Sequence, residues 1–288
     1  MSKNRPTSAR ERAISQIEVA AFLKPRPRDS HKGMFGSVAV IGGASGMVGA
    51  ALLAGRAALK LGAGSVHVGL LAERAPVVDP VQPELMVHSV HAFSEIPGAT
   101  VYALGCGMGS SISAQKLLLD ALRARAPLVL DADALNLLAR HADLQDDLRA
   151  RKTDTVITPH PGEAARLLGC GTEEVQADRI RAARLLAEKL HCAVALKGAD
   201  SVCITRNGGV FINHTGNPGM SAPGMGDVLS GMIAAFIAQG LDADQALLLA
   251  VHLHGAAGDA LAAEGVTLGM TASEVTEWAR WLLNQWTR

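Results

Sequence analysis

The chain has 288 residues, 49% of them hydrophobic and only 3% aromatic, which is enough apolar material for one large or two small domains. Lys and Arg number 27, as do Asp and Glu, and this balance excludes a globally basic surface for nucleic acid. The four cysteines lack CxxC and zinc spacing, the first 30 residues lack a signal peptide's apolar core, and no segment has an uninterrupted membrane-spanning apolar length. We therefore expect a cytoplasmic protein with reduced thiols that binds neither nucleic acid nor a membrane.

In chain order, the polar, Arg-rich residues 1–30 come first and predict a short helix over residues 12–23, which Lys24-Pro25-Arg26-Pro27 ends. After residue 31, short continuous apolar segments alternate with helical patterns. The predicted strands are 37–41, 65–69, 85–89, 100–104, 128–130, 155–158, 193–196, 202–205 and 209–212. The predicted helices are 47–61, 113–124, 132–140, 162–168, 175–190, 227–239, 243–263 and 272–285. This alternation indicates an α/β protein whose mostly parallel sheet is covered by helices on both faces.

The last two predicted strands are joined across Asn207-Gly208, a dipeptide typical of tight hairpin turns. A small antiparallel edge is therefore expected on the parallel sheet. The sequence has no internal repeat, low-complexity tract or clear linker. We predict an N-terminal polar extension over residues 1–30 and one domain over residues 31–288.

Glycine-rich turns follow two of the predicted strands, at the edge of the sheet where ligands bind in such folds. Gly-Gly-Ala-Ser-Gly-Met-Val-Gly-Ala begins at Gly42, and Gly-Cys-Gly-Met-Gly begins at Gly105. The first turn is neither a Walker loop nor a dinucleotide fingerprint. Close packing of strand against helix explains such glycines as well as a ligand does.

Polar residues end three further strands. Asp131 and Asp133 are able either to hold hydrated magnesium or to cap a helix. His160 lies between two prolines in an extended loop, where ligand binding and simple exposure to solvent are equally good explanations. Lys197 precedes a glycine, so it either reaches a phosphate or belongs to an ordinary β-turn.

The turn from Asn217 to Asp227 carries the most information about chemistry. Its glycines precede an apolar helix, and uncovered N–H groups at a helix start bind phosphate. A carboxylate at Asp227 is placed to take a proton from a hydroxyl that attacks that phosphate. The alternative is that Asp227 only caps the helix. Five such turns on one sheet edge favour phosphoryl-transfer chemistry.

Taken together, these motifs resemble the ADP/ATP-dependent NAD(P)H-hydrate dehydratases of the ribokinase-like superfamily. The resemblance rests on five motifs in order along the chain: the glycine turn from Gly42, Asp-Ala-Asp-Ala-Leu-Asn, Thr-Pro-His-Pro-Gly-Glu, Leu-Lys-Gly-Ala-Asp and Gly-Asn-Pro-Gly-Met. It implies a three-layer α/β/α fold. It also implies that the S epimer of hydrated NADH or NADPH (NADHX, NADPHX) is dehydrated to the working cofactor, with hydrolysis of ADP to AMP and phosphate, or of ATP. Mg²⁺ bridging the nucleotide phosphates, a homotetramer and a separate epimerase protein are implied as well.

The resemblance also assigns residues. Those implied to bind ADP are Lys197, Gly198, Ala199, Asp200, Ser201 and Gly226. Those implied to bind the hydrated dinucleotide are Ala50, Gly107, His160 and Asp227. Asp227 is in addition the implied catalytic base, and no residue is assigned as a direct metal ligand.

One departure from the family pattern concerns the phosphate-binding turn. Pro223-Gly224 stands where the family usually has two glycines, and Ala222 stands where it has a small polar residue. Proline removes one N–H donor from that turn. Two other hypotheses therefore stand beside the dehydratase: a small-molecule kinase of the same superfamily, and a nucleotide-binding protein with weak catalysis.

Overall fold

The computed structural model describes residues 11–91, 93–96 and 98–287. The strands are β1 Arg12–Ala13, β2 Ser37–Gly42, β3 Ser65–Leu70, β4 Met86–Ser89, β5 Val101–Leu104, β6 Leu128–Leu130, β7 Thr155–Ile157, β8 Ala193–Leu196, β9 Ser201–Ile204 and β10 Val210–Asn213. The helices are α1 Gln16–Ala20, α2 Val48–Lys60, α3 Ile112–Arg123, α4 Ala132–Arg140, α5 Ala142–Ala150, α6 Pro161–Leu168, α7 Thr172–Ala177, α8 Arg179–Leu190, α9 Met225–Ala238, α10 Ala243–Ala263 and α11 Ala272–Trp286. Short 3₁₀ helices lie at Lys32–Phe35, Phe93–Glu95 and Pro218–Met220.

These strands form a single ten-stranded sheet in the order β1-β10-β9-β8-β7-β6-β5-β2-β3-β4. Neighbouring strands pair in parallel, except that β9 runs antiparallel to β8 and to β10. The prediction of a mostly parallel sheet with a small antiparallel edge is confirmed.

Two hydrophobic cores lie on the two faces of the sheet. In β2, Val38 and Val40 pack into the core that contains α2, α9, α10 and α11. Their neighbours Ala39 and Ile41 pack into the opposite core, which contains α3 to α6 and α8. Because alternate residues of a strand point to opposite faces and both faces are covered, the strands are continuously apolar. The three-layer α/β/α arrangement follows from this pattern.

The structure differs from the predicted elements in three places. The helix predicted over residues 12–23 is instead the edge strand β1 followed by the short helix α1. The helix predicted over residues 175–190 is two helices, because the side chain of Asp178 accepts a hydrogen bond from the Arg181 N–H and so starts α8. Helix α5 was not predicted. Residues 1–10 and 288 of the predicted extension and domain lie outside the described residues.

Helix α10 is long and apolar enough to cross a membrane by length and composition. The sequence prediction concerned an uninterrupted apolar length, and in α10 Asp244 and Asp259 interrupt it. The most apolar window of this helix is 67% buried, and α10 packs against α9 and α11 within the fold. An apolar helix buried on most sides is typical of a domain core.

Helices α2 and α9 pack unusually closely at Gly231. A Cβ atom on Gly231 would lie 2.1 Å from the carbonyl oxygen of Ala54, so any larger side chain would force the helices apart. The close contact fixes the start of α9 relative to the start of α2.

The strand order brings the predicted motifs together. Strands β8, β7, β6, β5 and β2 are consecutive neighbours, so the loops that follow them lie in one row at the carboxyl edge. The chain runs outward in one direction from β2 and in the other from β5. Ligands bind at such a point of reversal in open α/β sheets.

Candidate functional site

The start of α9 provides unpaired backbone N–H groups beside this point. Gly224 is the N-cap residue, with a left-handed φ of +88°, and a Cβ there would lie 2.6 Å from Leu53 Cδ1. The first helical hydrogen bond runs 3.0 Å from the Val228 N–H to the Gly224 carbonyl. The N–H groups of Met225, Gly226 and Asp227 precede that bond, as in helix ends that bind anions.

Asp227 does not cap α9. Since the N-cap is Gly224 and no side chain caps this helix, the capping alternative was wrong. The Asp227 pKa is raised to about 6, chiefly by burial. A hydrogen bond from the Cys106 thiol lowers it, the charge of Asp131 raises it, and the charge of Lys197 lowers it. A carboxylate with a pKa this close to neutrality suits a general base.

An ion pair lies against the same helix start. Lys197 Nζ is 2.7 Å from Asp131 Oδ1, and the hydroxyl of Ser230 donates to Asp131 Oδ2 at 3.0 Å. Burial alone would lower the Lys197 pKa, but the charges of Asp131 and Glu163 outweigh it and raise that pKa. A Cβ on Gly226 would lie 3.1 Å from Lys197 Nζ and 3.2 Å from Asp131 Oδ2. Because position 226 has no side chain, the ammonium group lies close to the start of α9, where it and the unpaired N–H groups could donate to the same anion.

A cavity of about 490 Å³ opens beside this ion pair. All positions assigned to the nucleotide line it, and these are Lys197, Gly198, Ala199, Asp200, Ser201 and Gly226. Residues 213–218, 220 and 221 form much of the opposite wall. The structure thus brings the predicted nucleotide positions to a single cavity of a size that suits a small organic ligand.

His254 also lines this cavity. Its pKa is lowered to about 4, first by burial and then by the charge of Lys197, so the ring is neutral. Among the described residues, its Nε2 atom is buried without a hydrogen-bond partner.

Two positions assigned to the hydrated dinucleotide touch each other. A Cβ on Gly107, whose φ is +59°, would lie 3.1 Å from the Ala50 Cβ and 2.7 Å from the Met47 carbonyl oxygen. The Ala44 N–H donates 2.7 Å to the Gly107 carbonyl and so joins the two glycine turns. The surface between these turns is shaped by backbone and by small side chains.

His160, the third such position, has a structural role that the sequence did not predict. It is the N-cap of α6: its Nδ1 accepts from the Gly162 N–H at 3.0 Å, and its N–H donates to Glu163 at 2.8 Å. The side chain is 50% exposed. Burial and then the charge of Lys197 lower its pKa, so the ring is neutral at pH 7. The Nδ1 edge of the ring thus holds the start of α6, while half of the side chain stays exposed.

Sequence reasoning missed the roles of Cys106 and Ser230. Cys106 is fully buried in the second glycine turn and donates to Asp227, but the cysteines were considered only for pairing. Ser230 lies one helical turn after Gly226 and holds Asp131. The spacing of Ser230 from Asp227 along a helix was the one available signal, since residues three apart share a face.

The carboxylates that end β6 have partners within the protein. Asp131 accepts from the Ala132 N–H and so caps α4, as one of the two hypotheses proposed. Asp133 accepts from the Gly109 N–H at 2.8 Å. Within the described residues, no group of three His, Cys, Asp or Glu side chains is placed to hold a metal ion.

Comparisons with known proteins identify a family that this chain resembles over most of its length. A sequence model described as NAD(P)H-hydrate dehydratase matches residues 38–280. The ADP-dependent (S)-NAD(P)H-hydrate dehydratase of Neisseria meningitidis is 37% identical over 98% of this chain and 96% of its own. The bifunctional NAD(P)H-hydrate repair enzyme of Coxiella burnetii is 41% identical over 92% of this chain, which spans only 54% of that relative. The crystal structure of the Bacillus subtilis ADP/ATP-dependent NAD(P)H-hydrate dehydratase, co-crystallized with ATP and Mg²⁺, matches with a TM-score of 0.83, 29% identity, and coverage of 96% of this chain and 98% of that one.

Proposed function

This chain belongs to the NAD(P)H-hydrate dehydratase family, and we propose that it dehydrates the S epimer of NADHX or NADPHX to NADH or NADPH while hydrolysing ADP. The observation that carries the proposal is the meeting of three features at one point. These are the cavity beside Lys197, the unpaired N–H groups of α9, and a carboxylate at Asp227 whose pKa is about 6. The name of the N. meningitidis relative supports ADP as the co-substrate.

The proposed chemistry begins at the hydroxyl on carbon six of the hydrated ring. Asp227 takes its proton as the oxygen attacks the terminal phosphorus of ADP, and the bond from that phosphorus to AMP breaks. The N–H groups of Gly226 and Asp227 stabilise the negative charge on the phosphoryl group during its transfer. The ring nitrogen's lone pair then expels phosphate from carbon six, and loss of a proton from carbon five restores the dihydronicotinamide. AMP and phosphate leave as products.

We also propose that the two substrates occupy different regions of the cleft. ADP occupies the cavity lined by Lys197 and Ser201, and the hydrated dinucleotide lies over Ala50, Gly107 and His160. The charges of the Lys197–Asp131 ion pair act on Asp227, so the pair lies near the proposed base. This arrangement gives Lys197 access to the phosphate that is transferred.

Mg²⁺ fits the donor set of this cleft as an ion carried by the nucleotide. Mg²⁺ commonly keeps several waters and binds through one or two carboxylates together with substrate phosphates. Asp133 and Asp227 are the carboxylates that would contact those waters. When bound, the ion neutralises charge on the phosphates.

A direct assay tests the proposal. Purified protein is incubated with hydrated NADPH, Mg²⁺ and either ADP or ATP, and absorbance of the restored dihydronicotinamide is followed. We expect turnover with ADP and none without nucleotide. Phosphorylation of an added thiazole, pyridoxal or sugar alcohol, without restored absorbance, would instead support the kinase. ADP binding by calorimetry with no turnover in either assay would support the weakly catalytic nucleotide-binding protein.

We further propose that the protein is a cytoplasmic homotetramer served by a separate epimerase. The four cysteines are free thiols, and a reduced state of this kind is usual in the cytosol. The bifunctional name of the C. burnetii relative hints at an epimerase activity in the same repair process. Light scattering on the purified protein tests the tetramer.

A further inference from the structure

We infer that Asp259, a residue of α10 that lies outside the cavity, positions the wall loop (residues 214–221) and thereby sets the affinity for ADP; this inference rests on the proposed function. The wall loop contains Gly-Asn-Pro-Gly-Met, a motif that the proposed chemistry leaves without a role.

Both oxygens of the Asp259 carboxylate hold the wall loop. The Gly216 N–H donates to Asp259 Oδ2 at 2.8 Å, and Asn217 Nδ2 donates to Asp259 Oδ1 at 3.1 Å. Hydrogen bonds to an ionised acceptor are stronger than neutral ones. A single side chain therefore fixes two successive residues of the loop.

Asn217 passes this constraint to the rest of the motif. Its Oδ1 accepts from the Gly219 N–H at 3.0 Å and so caps the 3₁₀ helix Pro218–Met220. Its carbonyl accepts from the Met220 N–H at 3.0 Å. A Cβ on Gly219 would lie 3.0 Å from the Thr267 carbonyl oxygen, so the outer side of the turn is closely packed as well.

Helix α10 has glycines where the wall loop lies on it. A Cβ on Gly255 would lie 2.3 Å from Thr215 Oγ1, and one on Gly258 would lie 2.2 Å from Met220 Sδ. The loop therefore rests on the helix backbone at two points, with Asp259 directly after the second. Gly255, Gly258 and Asp259 form a docking surface shaped to the loop.

The opposite side of the loop faces the ligand. Gly216, Asn217, Met220 and Ser221 line the cavity, whereas Asp259 does not. The chain then runs within a few residues to Gly224, where the phosphate-binding turn ends. Asp259 is thus a positioning residue, since it acts on the nucleotide only through the loop.

The experiment compares Asp259→Ala and Asp259→Asn with the wild type. We expect the ADP dissociation constant by calorimetry to rise about tenfold in the Ala variant, because the wall loop loses both charge-assisted hydrogen bonds that hold Gly216 and Asn217. The Asn variant, which keeps one acceptor oxygen, should lie between the two. The KM for the hydrated dinucleotide should stay within about twofold, a difference that loss of folding would not produce.

Glu264→Ala is the matched control, since it removes an exposed acidic side chain at the end of the same helix. It should leave ADP binding unchanged. Asn217→Ala combined with Asp259→Ala should weaken ADP binding no more than the stronger single change, because the two residues act as one unit. Asp259→Asn keeps the test available if Asp259→Ala does not fold.

The outcomes separate this inference from the proposed function. Unchanged ADP affinity in Asp259→Ala, or equal losses for both substrates, overturns the inference. A wild type that binds ADP without dehydrating anything contradicts the proposed function while the affinity comparison still decides the role of Asp259. A wild type that does not bind ADP overturns both.

Discussion

The buried charge of Asp227 lowers the stability of the fold and serves as the proposed proton acceptor. The variant Asp227→Asn separates these two effects. The folded protein holds the Asp227 pKa at about 6 against an ordinary 3.8, chiefly through burial, so the ionised form is disfavoured in the folded state. At a pH above both pKa values, that difference lowers the free energy of unfolding by at most about 3 kcal/mol, and screening by solvent reduces this figure. Removing the charge should therefore raise stability while it removes the proton acceptor.

The two effects have different dependences on pH. Because the folded pKa is the higher one, the ionisation cost is absent below the ordinary value of 3.8 and complete above about 6. The Asn variant should thus melt at the wild-type temperature near the lower value and a few degrees higher above the upper one, given about 2–4 °C per kcal/mol in larger domains. Turnover should fall by roughly 100-fold or more, as expected for loss of a general base. In the wild type, turnover should decline as pH falls through about 6, where Asp227 takes up a proton.

Thermal melting across this pH range and the absorbance assay measure the two effects on the same samples. Asp244→Asn is the control, because burial raises the pKa of that carboxyl too but Asp244 accepts from Arg206 at the far end of the sheet. It should alter stability without altering turnover. Turnover of Asp227→Asn within a few fold of wild type would refute the assignment of the base. A fall in stability above pH 6 would refute the electrostatic argument.

Three other variants test neighbouring features. Cys106→Ala removes the thiol hydrogen bond that lowers the Asp227 pKa, so the acidic limb of the pH profile of kcat/KM should move to higher pH. Cys106→Ser should stay near wild type, and identical profiles for all three proteins would contradict this prediction. His160→Ala should raise the KM for the hydrated dinucleotide and leave ADP binding by calorimetry unchanged. Loss of the helix cap should also lower the free energy of unfolding by about 1 kcal/mol. An equal loss of ADP affinity would show that our assignment of the two substrates to regions of the cleft is wrong. Pro223→Gly should change turnover by less than about tenfold and slightly lower the melting temperature, because Gly224 already starts α9 and its next N–H groups are free; a hundredfold gain would mean that the missing donor is required.

The order of strands and helices was largely predictable, because the spacing of apolar residues along the sequence differs between strands and helices. The strands 128–130 and 193–196 were predicted with their observed bounds, since both are short, apolar and buried on two faces. The break at Asp178 was not, because neither glycine nor proline interrupts the helical pattern there and only a side-chain cap starts α8. Strand β1 exists through its pairing with β10, which nothing within two residues of sequence can signal.

The candidate site was predictable as a set of positions but not as a network. Lys197 and Asp131 are 66 residues apart, and only the order β6-β7-β8 brings their side chains to 2.7 Å. The choice between cap and base at Asp227 depended on whether α9 begins at that residue or earlier. The left-handed turn at Gly224 excludes the cap, because the helix starts there and leaves the carboxylate free to meet Cys106.

The contact of Gly231 with the backbone of Ala54 has a mechanical consequence. With no side chain between them at this point, α2 and α9 form a closely packed pair, and the starts of the two helices carry Ala50 and the phosphate-binding turn. A larger side chain at position 231 would force the helices apart and so change the spacing between these two helix starts.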